Sequence, residues 1–129
     1  MTTGRLSERM RSRGPYATLA STVVMVLCVA STAQAEPQRL VGRALATAVT
    51  GMDFGDGVHW SEHYGAGGVL DIVSMGRRIK GRWSLRDDRL CKETPLEGQC
   101  CYQVWRAREG IEQRPDCIAP VLEGQLSKP

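Results

Sequence analysis

The chain has 129 residues and a net charge of +3, with 17 basic and 14 acidic side chains. Setting aside residues 1–35, with four arginines (Arg5, Arg9, Arg11, Arg13) and one acid (Glu8), leaves 13 of each sign in residues 36–129. That balance gives no charge-based case for nucleic-acid binding, and 94 residues allow one domain with a modest core.

The N-terminus reads as a secretory signal peptide over residues 1–35. A basic start is followed by an uncharged run, Ala17 to Ser31, and by "TAQA", which places Ala33 and Ala35 at the −3 and −1 positions of a cleavage site. The apolar run of about 14 residues falls short of the roughly 20 that span a bilayer. Cys28 raises a lipoprotein alternative, but Leu27 is not the small residue such sites place before the cysteine. The expectation is cleavage after Ala35, a mature chain without a transmembrane span, and a periplasmic or secreted single domain over residues 36–129.

"EPQRLVGRALATAVTG" follows, with Leu40, Val41, Ala44, Leu45 and Ala48 at helical spacing and Gly51 able to end the helix. Glycine and turn pairs then recur about every ten residues: "GDG", "GAGG", "MGRR", "RDDR" and "REG". Such spacing predicts short antiparallel strands, here Val58–Tyr64, Val69–Ser74, Ile79–Leu85, Arg89–Lys92, Cys100–Arg106, Ile111–Arg114 and Val121–Leu126. The clearest is Ile79–Leu85, where Ile79, Gly81, Trp83 and Leu85 share one parity and Arg78, Lys80, Arg82, Ser84 and Arg86 the other. The predicted fold class is mainly β: a small antiparallel meander or partly open barrel with one short helix after the signal peptide.

Four cysteines follow the leader: Cys91, Cys100, Cys101 and Cys117. Their spacings are not those of zinc knuckles or of a C-x-x-C redox site, so no metal is expected. An even count in an exported chain predicts a framework of two disulfides. Adjacent residues on a strand point to opposite faces, which suits one bridge from each of Cys100 and Cys101. Cys91–Cys101 with Cys100–Cys117 is the favoured pairing. Cys91–Cys100 with Cys101–Cys117, and a vicinal Cys100–Cys101 bridge, stay open. A Cys91–Cys101 bridge would close about ten residues and contribute roughly 2–3 kcal/mol.

"TGMDFGDGVHWSEHY…GG…GRWSLRDDRLC…CYQVW…LEGQL", Gly51 to Leu126, resembles a group of small exported proteins of Gram-negative bacteria that carry a β-rich domain of unknown function. The resemblance rests on glycine, tryptophan and the L-C and C-Y pairs, with Cys100 and Cys117 as an addition to the group's usual single pair. It implies a small β-rich periplasmic domain and no particular activity.

Chemistry-bearing residues read mostly as structural. His59 and His63 of "HWSEH" lie on one strand face, about 13 Å apart, too far for one metal. Asp53 with Asp56, and Asp87 with Asp88, sit in glycine-flanked turns where aspartate hydrogen-bonds its own backbone. Ser61, Ser74 and Ser84 lack a nucleophile elbow, so no catalysis and no cofactor is expected. Trp60, Trp83, Trp105, Tyr64 and Tyr102 are assigned to the core. The row Arg78, Lys80, Arg82 and Arg86 is the candidate surface for an envelope protein or an anionic envelope component.

The function expected is a non-catalytic binding or envelope-associated role. The alternatives are an inhibitor of an envelope-acting enzyme such as a lysozyme, using Thr94–Gln99 or Ile118–Val121, or a lipocalin-like small-ligand carrier. An apolar cavity above about 300 Å³ would favour the carrier, and a packed centre with a projecting loop the inhibitor.

Overall fold

The computed structural model describes residues 35–129, together with residues 14, 15, 20 and 22–26. The basic n-region, Cys28 and most of the expected leader lie outside the described residues. The eight described residues before Ala35 are exposed, form no helix or strand, and belong to a unit of their own, Met1–Ser31. The second unit, Thr32–Pro129, carries the fold.

The elements, in chain order, are β1 (Gln38–Arg39), α1 (Gly42–Val49), β2 (Asp53–Gly55), β3 (Trp60–Tyr64), β4 (Val69–Ser74), β5 (Arg77–Arg86), β6 (Arg89–Thr94), β7 (Gly98–Ala107), β8 (Gly110–Pro115) and β9 (Leu122–Ser127). From β2 to β9 each strand pairs antiparallel with the next, and β9 pairs back onto β2. The sheet is therefore a closed eight-stranded barrel, with β1 as an extra strand on β7. This corrects the expectation of a meander or partly open barrel. The closing strand is β2, whose "DFG" lies beside "GDG" and reads in sequence as turn. Followed once round, the registers give a shear of about twelve residues, which tilts the strands steeply and leaves a wide interior.

Two of the hairpins turn in two residues with positive φ: Met75–Gly76 (49° and 78°) and Asp87–Asp88 (51° and 57°). This backbone twist matches that of the flanking strands. Closure at the other seam depends on small residues. A Cβ on Gly124 would lie 2.6 Å from the Gly55 carbonyl oxygen, and one on Gly110 would collide with the Gly124 carbonyl. Glycines on β8, β9 and β2 thus let three strands turn a tight corner.

The interior divides at mid-height. At one end Phe54, Tyr64, Leu70, Leu90, Val104 and Ile111 pack with Leu40 and with Leu45 and Val49 of α1. The helix lacks a side-chain cap of its own. Asp88 instead accepts the Gly42 amide at 2.8 Å from the β5–β6 turn, so the hairpin holds the helix over the barrel end. This is the closed end. The connections 56–59, 75–76, 95–97 and 116–121 gather at the other.

Candidate functional site

Alternation along the strands sends Trp60, Glu62 and Tyr64 of β3 inward, with Ile72 and Ser74 of β4, Ile79 of β5, Lys92 and Thr94 of β6, Tyr102 of β7, Gln113 of β8 and Leu122 of β9. In the half away from α1 these side chains do not fill the barrel. All of them but Tyr64 and Gln113 line a cavity of about 390 Å³ walled by Trp60, Ile72, Ile79, Tyr102 and Leu122. Leu96, Glu97, Ala119 and Pro120 stand at its mouth. Depressions of about 580 and 660 Å³ lie elsewhere, one between α1 and the β7–β8 turn, the other along the β2–β3 loop. Both are furrows on the outer surface rather than spaces within the barrel.

The cavity floor is a closed ring of hydrogen bonds. The Lys92 ammonium donates to Glu62 Oε2 and to Gln113 Oε1, both at 2.7 Å. The Tyr64 hydroxyl donates to the same Glu62 oxygen at 2.6 Å and accepts from Gln113 Nε2 at 2.7 Å. Glu62, Tyr64, Lys92 and Gln113 are all buried. Lys92 also stands 4.1 Å from the centre of the Tyr102 ring, a cation–π contact. Burial pulls Lys92 below the usual lysine range even though the Glu62 carboxylate opposes the shift. Burial, then the Glu62 charge, raises Tyr64 well above the usual phenol range. Tyr102 is pushed up to about 12 by burial and then by the Glu97 and Glu62 carboxylates.

The mouth is held from two sides. Two disulfides join Cys91 to Cys101 and Cys100 to Cys117. The first staples β6 to β7 on the outer face, where the two cysteines are direct cross-strand partners. The second ties the 116–121 loop to the cavity wall, because Cys100 lines the cavity. Asp116 supports that loop by accepting the Cys101 amide at 3.0 Å and pairing with Arg89 at 3.3 Å. Cys100, Asp116 and Cys117 are the one group of three metal-type ligands among the described residues. The two sulfurs are bonded to each other and are not ligands. On the opposite side Asp56 accepts the amides of Val58, His59 and Trp60 at 2.7–3.1 Å and folds the β2–β3 loop around itself. These amides, led by Val58, hold its carboxyl well below the usual range against some desolvation.

The remaining sequence candidates lie outside the cavity. Arg78, Lys80, Arg82 and Arg86 are exposed along β5, and acids flank the row. Lys80 pairs with Asp71 at 3.5 Å, and Arg82 lies opposite Glu93. His59 and His63 each bond an aspartate, Asp56 and Asp53 respectively. Asp53 is a residue of β2, not of a turn. Trp105, expected in the core, lies half-buried on the outer face with the Arg114 guanidinium 4.2 Å from its ring. Glu62, Lys92 and Gln113 were not singled out from the sequence. The available signal was parity: Lys92 lies two residues from Leu90, and Glu62 lies between Trp60 and Tyr64.

No protein-family model, curated protein or solved structure matches the chain.

Proposed function

We propose that this is an exported, non-catalytic binding protein whose barrel carries one small, mostly apolar molecule. The observation that carries the reading is the cavity of about 390 Å³ inside a closed barrel, apolar at the walls and polar at the floor. Its size falls in the range of small-molecule sites, and a few convergent polar groups on apolar walls are their usual composition. The space is not an accident of a short sequence. The buried Glu62–Lys92 pair puts polar groups at the floor where an apolar core would otherwise continue, and the Cys100–Cys117 bridge ties the mouth loop to the wall.

Two disulfides indicate an oxidising compartment outside the cytoplasm. The leader at residues 1–35 supports the periplasm, in keeping with the small exported Gram-negative proteins that the chain resembles. The inhibitor alternative draws less support. Both of its candidate loops, 94–99 and 118–121, contribute residues to the cavity mouth. Binding is tested with phenylnaphthylamine, a neutral probe that fluoresces in apolar surroundings. The oxidised protein should bind one probe, and Ile72→Trp, which fills the cavity, should abolish binding while leaving the melting temperature close to that of the parent. Equal binding by the filled variant would reject the reading.

A further inference from the structure

We propose that the cavity selects an uncharged hydroxyl or amide head attached to an apolar body of about a dozen heavy atoms, and that it discriminates against carboxylates. The size follows from about 390 Å³ at roughly 30 Å³ per group. The proposal rests on the binding reading above and adds the ligand class.

The head group follows from what the floor leaves over. The Lys92 cation is already engaged by Glu62, Gln113 and the Tyr102 ring. It therefore has no free face for a ligand carboxylate. Glu62 spends one oxygen, Oε2, on both Lys92 and Tyr64. Its Oε1 and the Tyr102 hydroxyl have no partner among the described residues, yet neither is sealed in protein, and both residues line the cavity. The floor thus offers one strong acceptor and one phenol hydroxyl. An alcohol or amide satisfies both at once, donating to Glu62 Oε1 and accepting from Tyr102. A carboxylate would instead face the Glu62 oxygen, with Glu97 at the mouth adding a second negative charge in a poorly screened space. An ammonium head would sit against Lys92.

The test titrates the oxidised protein with decanol, decanoate and decylammonium at neutral pH, following tryptophan fluorescence from Trp60 in the cavity wall. Decanol should bind at least tenfold more tightly than either ion. Glu97→Gln, at an exposed position, should strengthen decanoate severalfold relative to decanol. Decanoate equal to or tighter than decanol would overturn the head-group assignment while the cavity reading stands. Failure of all three ligands, together with failure of the neutral probe above, would overturn both.

The rim carries an independent inference. We infer that the open end of the barrel docks on an anionic bilayer. Val58, Met75, Leu96 and Ile118 are each at least 76 % exposed. They lie one apiece in the four connections at that end, which alternate with the strand pairs round the whole mouth. At the closed end the connections 65–68, 87–88 and 108–109 are built from Gly, Ala, Asp, Arg and Glu. Val41 and Val69 at that end are 45 % exposed, so the most exposed large apolar side chains of residues 35–129 are the four tips of the open end. Beside the Met75 tip, Arg77 and Arg78 are exposed and make no ion pair among the described residues. Of the acids at the open end, Asp56 is occupied by three amides and His59, and Asp116 by Arg89 and the Cys101 amide; Glu97 is exposed without an ion pair among the described residues, so the two arginines outnumber the one free carboxylate. Four separate aliphatic tips around a hole present no continuous face to a protein. An acyl layer conforms to them, with the arginines at headgroup level.

Co-sedimentation with phosphatidylglycerol-containing vesicles and with pure phosphatidylcholine vesicles tests this. The oxidised protein should partition at least tenfold better into the anionic vesicles. Serine at all four tips should remove that partitioning, and Arg77→Gln with Arg78→Gln should remove most of the anionic preference. Absence of partitioning, or partitioning unchanged by the tip substitutions, would overturn the inference. So would competition by an envelope protein that occupies the same tips in place of the vesicles.

Discussion

Breaking the Glu62–Lys92 pair from each side in turn gives the sharpest test of how dry the cavity floor is. Lys92→Met leaves Glu62 with only the Tyr64 hydroxyl, and Glu62→Gln leaves the Lys92 cation facing an amide. Stranding one member of a buried pair typically costs about 3–5 kcal/mol. The cavity beside the pair relieves part of this, so each single variant should lose about 3 kcal/mol. At about 4–8 °C per kcal/mol for a domain of this size, that lowers the melting temperature by at least about 12 °C. The double variant should lose only about 1 kcal/mol, because no charge is left buried and the Tyr64–Gln113 bond survives. The coupling is therefore several kcal/mol, read from urea unfolding of the four oxidised proteins at a common m-value. The pH dependence gives a second readout. Lys92 lies below its unfolded value of 10.5, and without Glu62 it falls further. The unfolded chain then binds more protons than the folded one, so Glu62→Gln should gain stability as the pH rises from neutrality towards 10.5. Additive losses, or single losses below about 1 kcal/mol, would mean that water already solvates the floor, and the reasoning would fail.

Other outcomes follow from the same geometry. In protein beginning at Glu36 the tyrosines are Tyr64 and Tyr102, both raised, so its phenolate absorbance should not develop near pH 10 but only around 12 or on unfolding; a midpoint near 10 would contradict the burial. The sign makes both groups stabilising below pH 10, with that contribution lost as the pH climbs towards 12. Intact mass should show the oxidised protein four hydrogens lighter than its reduced form, and alkylation should find no free thiol among the four cysteines. Replacing Cys91 and Cys101 together by serine should cost about 2.7 kcal/mol from the loop of ten residues, and replacing Cys100 and Cys117 about 3 kcal/mol from the loop of 17. Gly124→Ala should cost about 1–3 kcal/mol in urea unfolding by pressing on the Gly55 backbone; an unchanged midpoint would show that the β2–β9 seam gives way freely.

The strands were legible wherever alternation met a turn signal. Val69–Ser74 was bounded correctly, and Ile79–Leu85 lies within β5 with its apolar parity inward and its basic parity exposed. The short helix expected before Gly51 is the eight-residue α1. β2 was not legible, because three residues between glycines carry no periodicity; only its pairing with β3 and β9 makes it a strand. Closure was lost with it, since a meander and a barrel differ by that one seam. Trp105 was assigned inward on size, although its parity opposes that of Tyr102 and Val104 and its ring is served outside by Arg114.

Lys92 and Glu62 show why the site itself was hidden. Each stands at an inward position beside apolar side chains, Lys92 after Leu90 and Glu62 between Trp60 and Tyr64, and a charge there reads as an interruption of the pattern. Neither has any reason to be buried until the barrel closes and brings β3, β6 and β8 around one axis. A lone lysine inside would cost several kcal/mol, whereas a lysine that meets a carboxylate, an amide and an aromatic ring is held at lower cost. The pair therefore presupposes the closed sheet, and it also stops the core from continuing. Below it lie the side chains packed with α1; above it no phenylalanine and few large aliphatics remain to fill the space, because Val58, Met75, Leu96 and Ile118 sit on the rim instead. A chain with the apolar residues to fill its barrel has placed them outside the mouth, and that distribution supports a cavity used for binding rather than a core left incomplete.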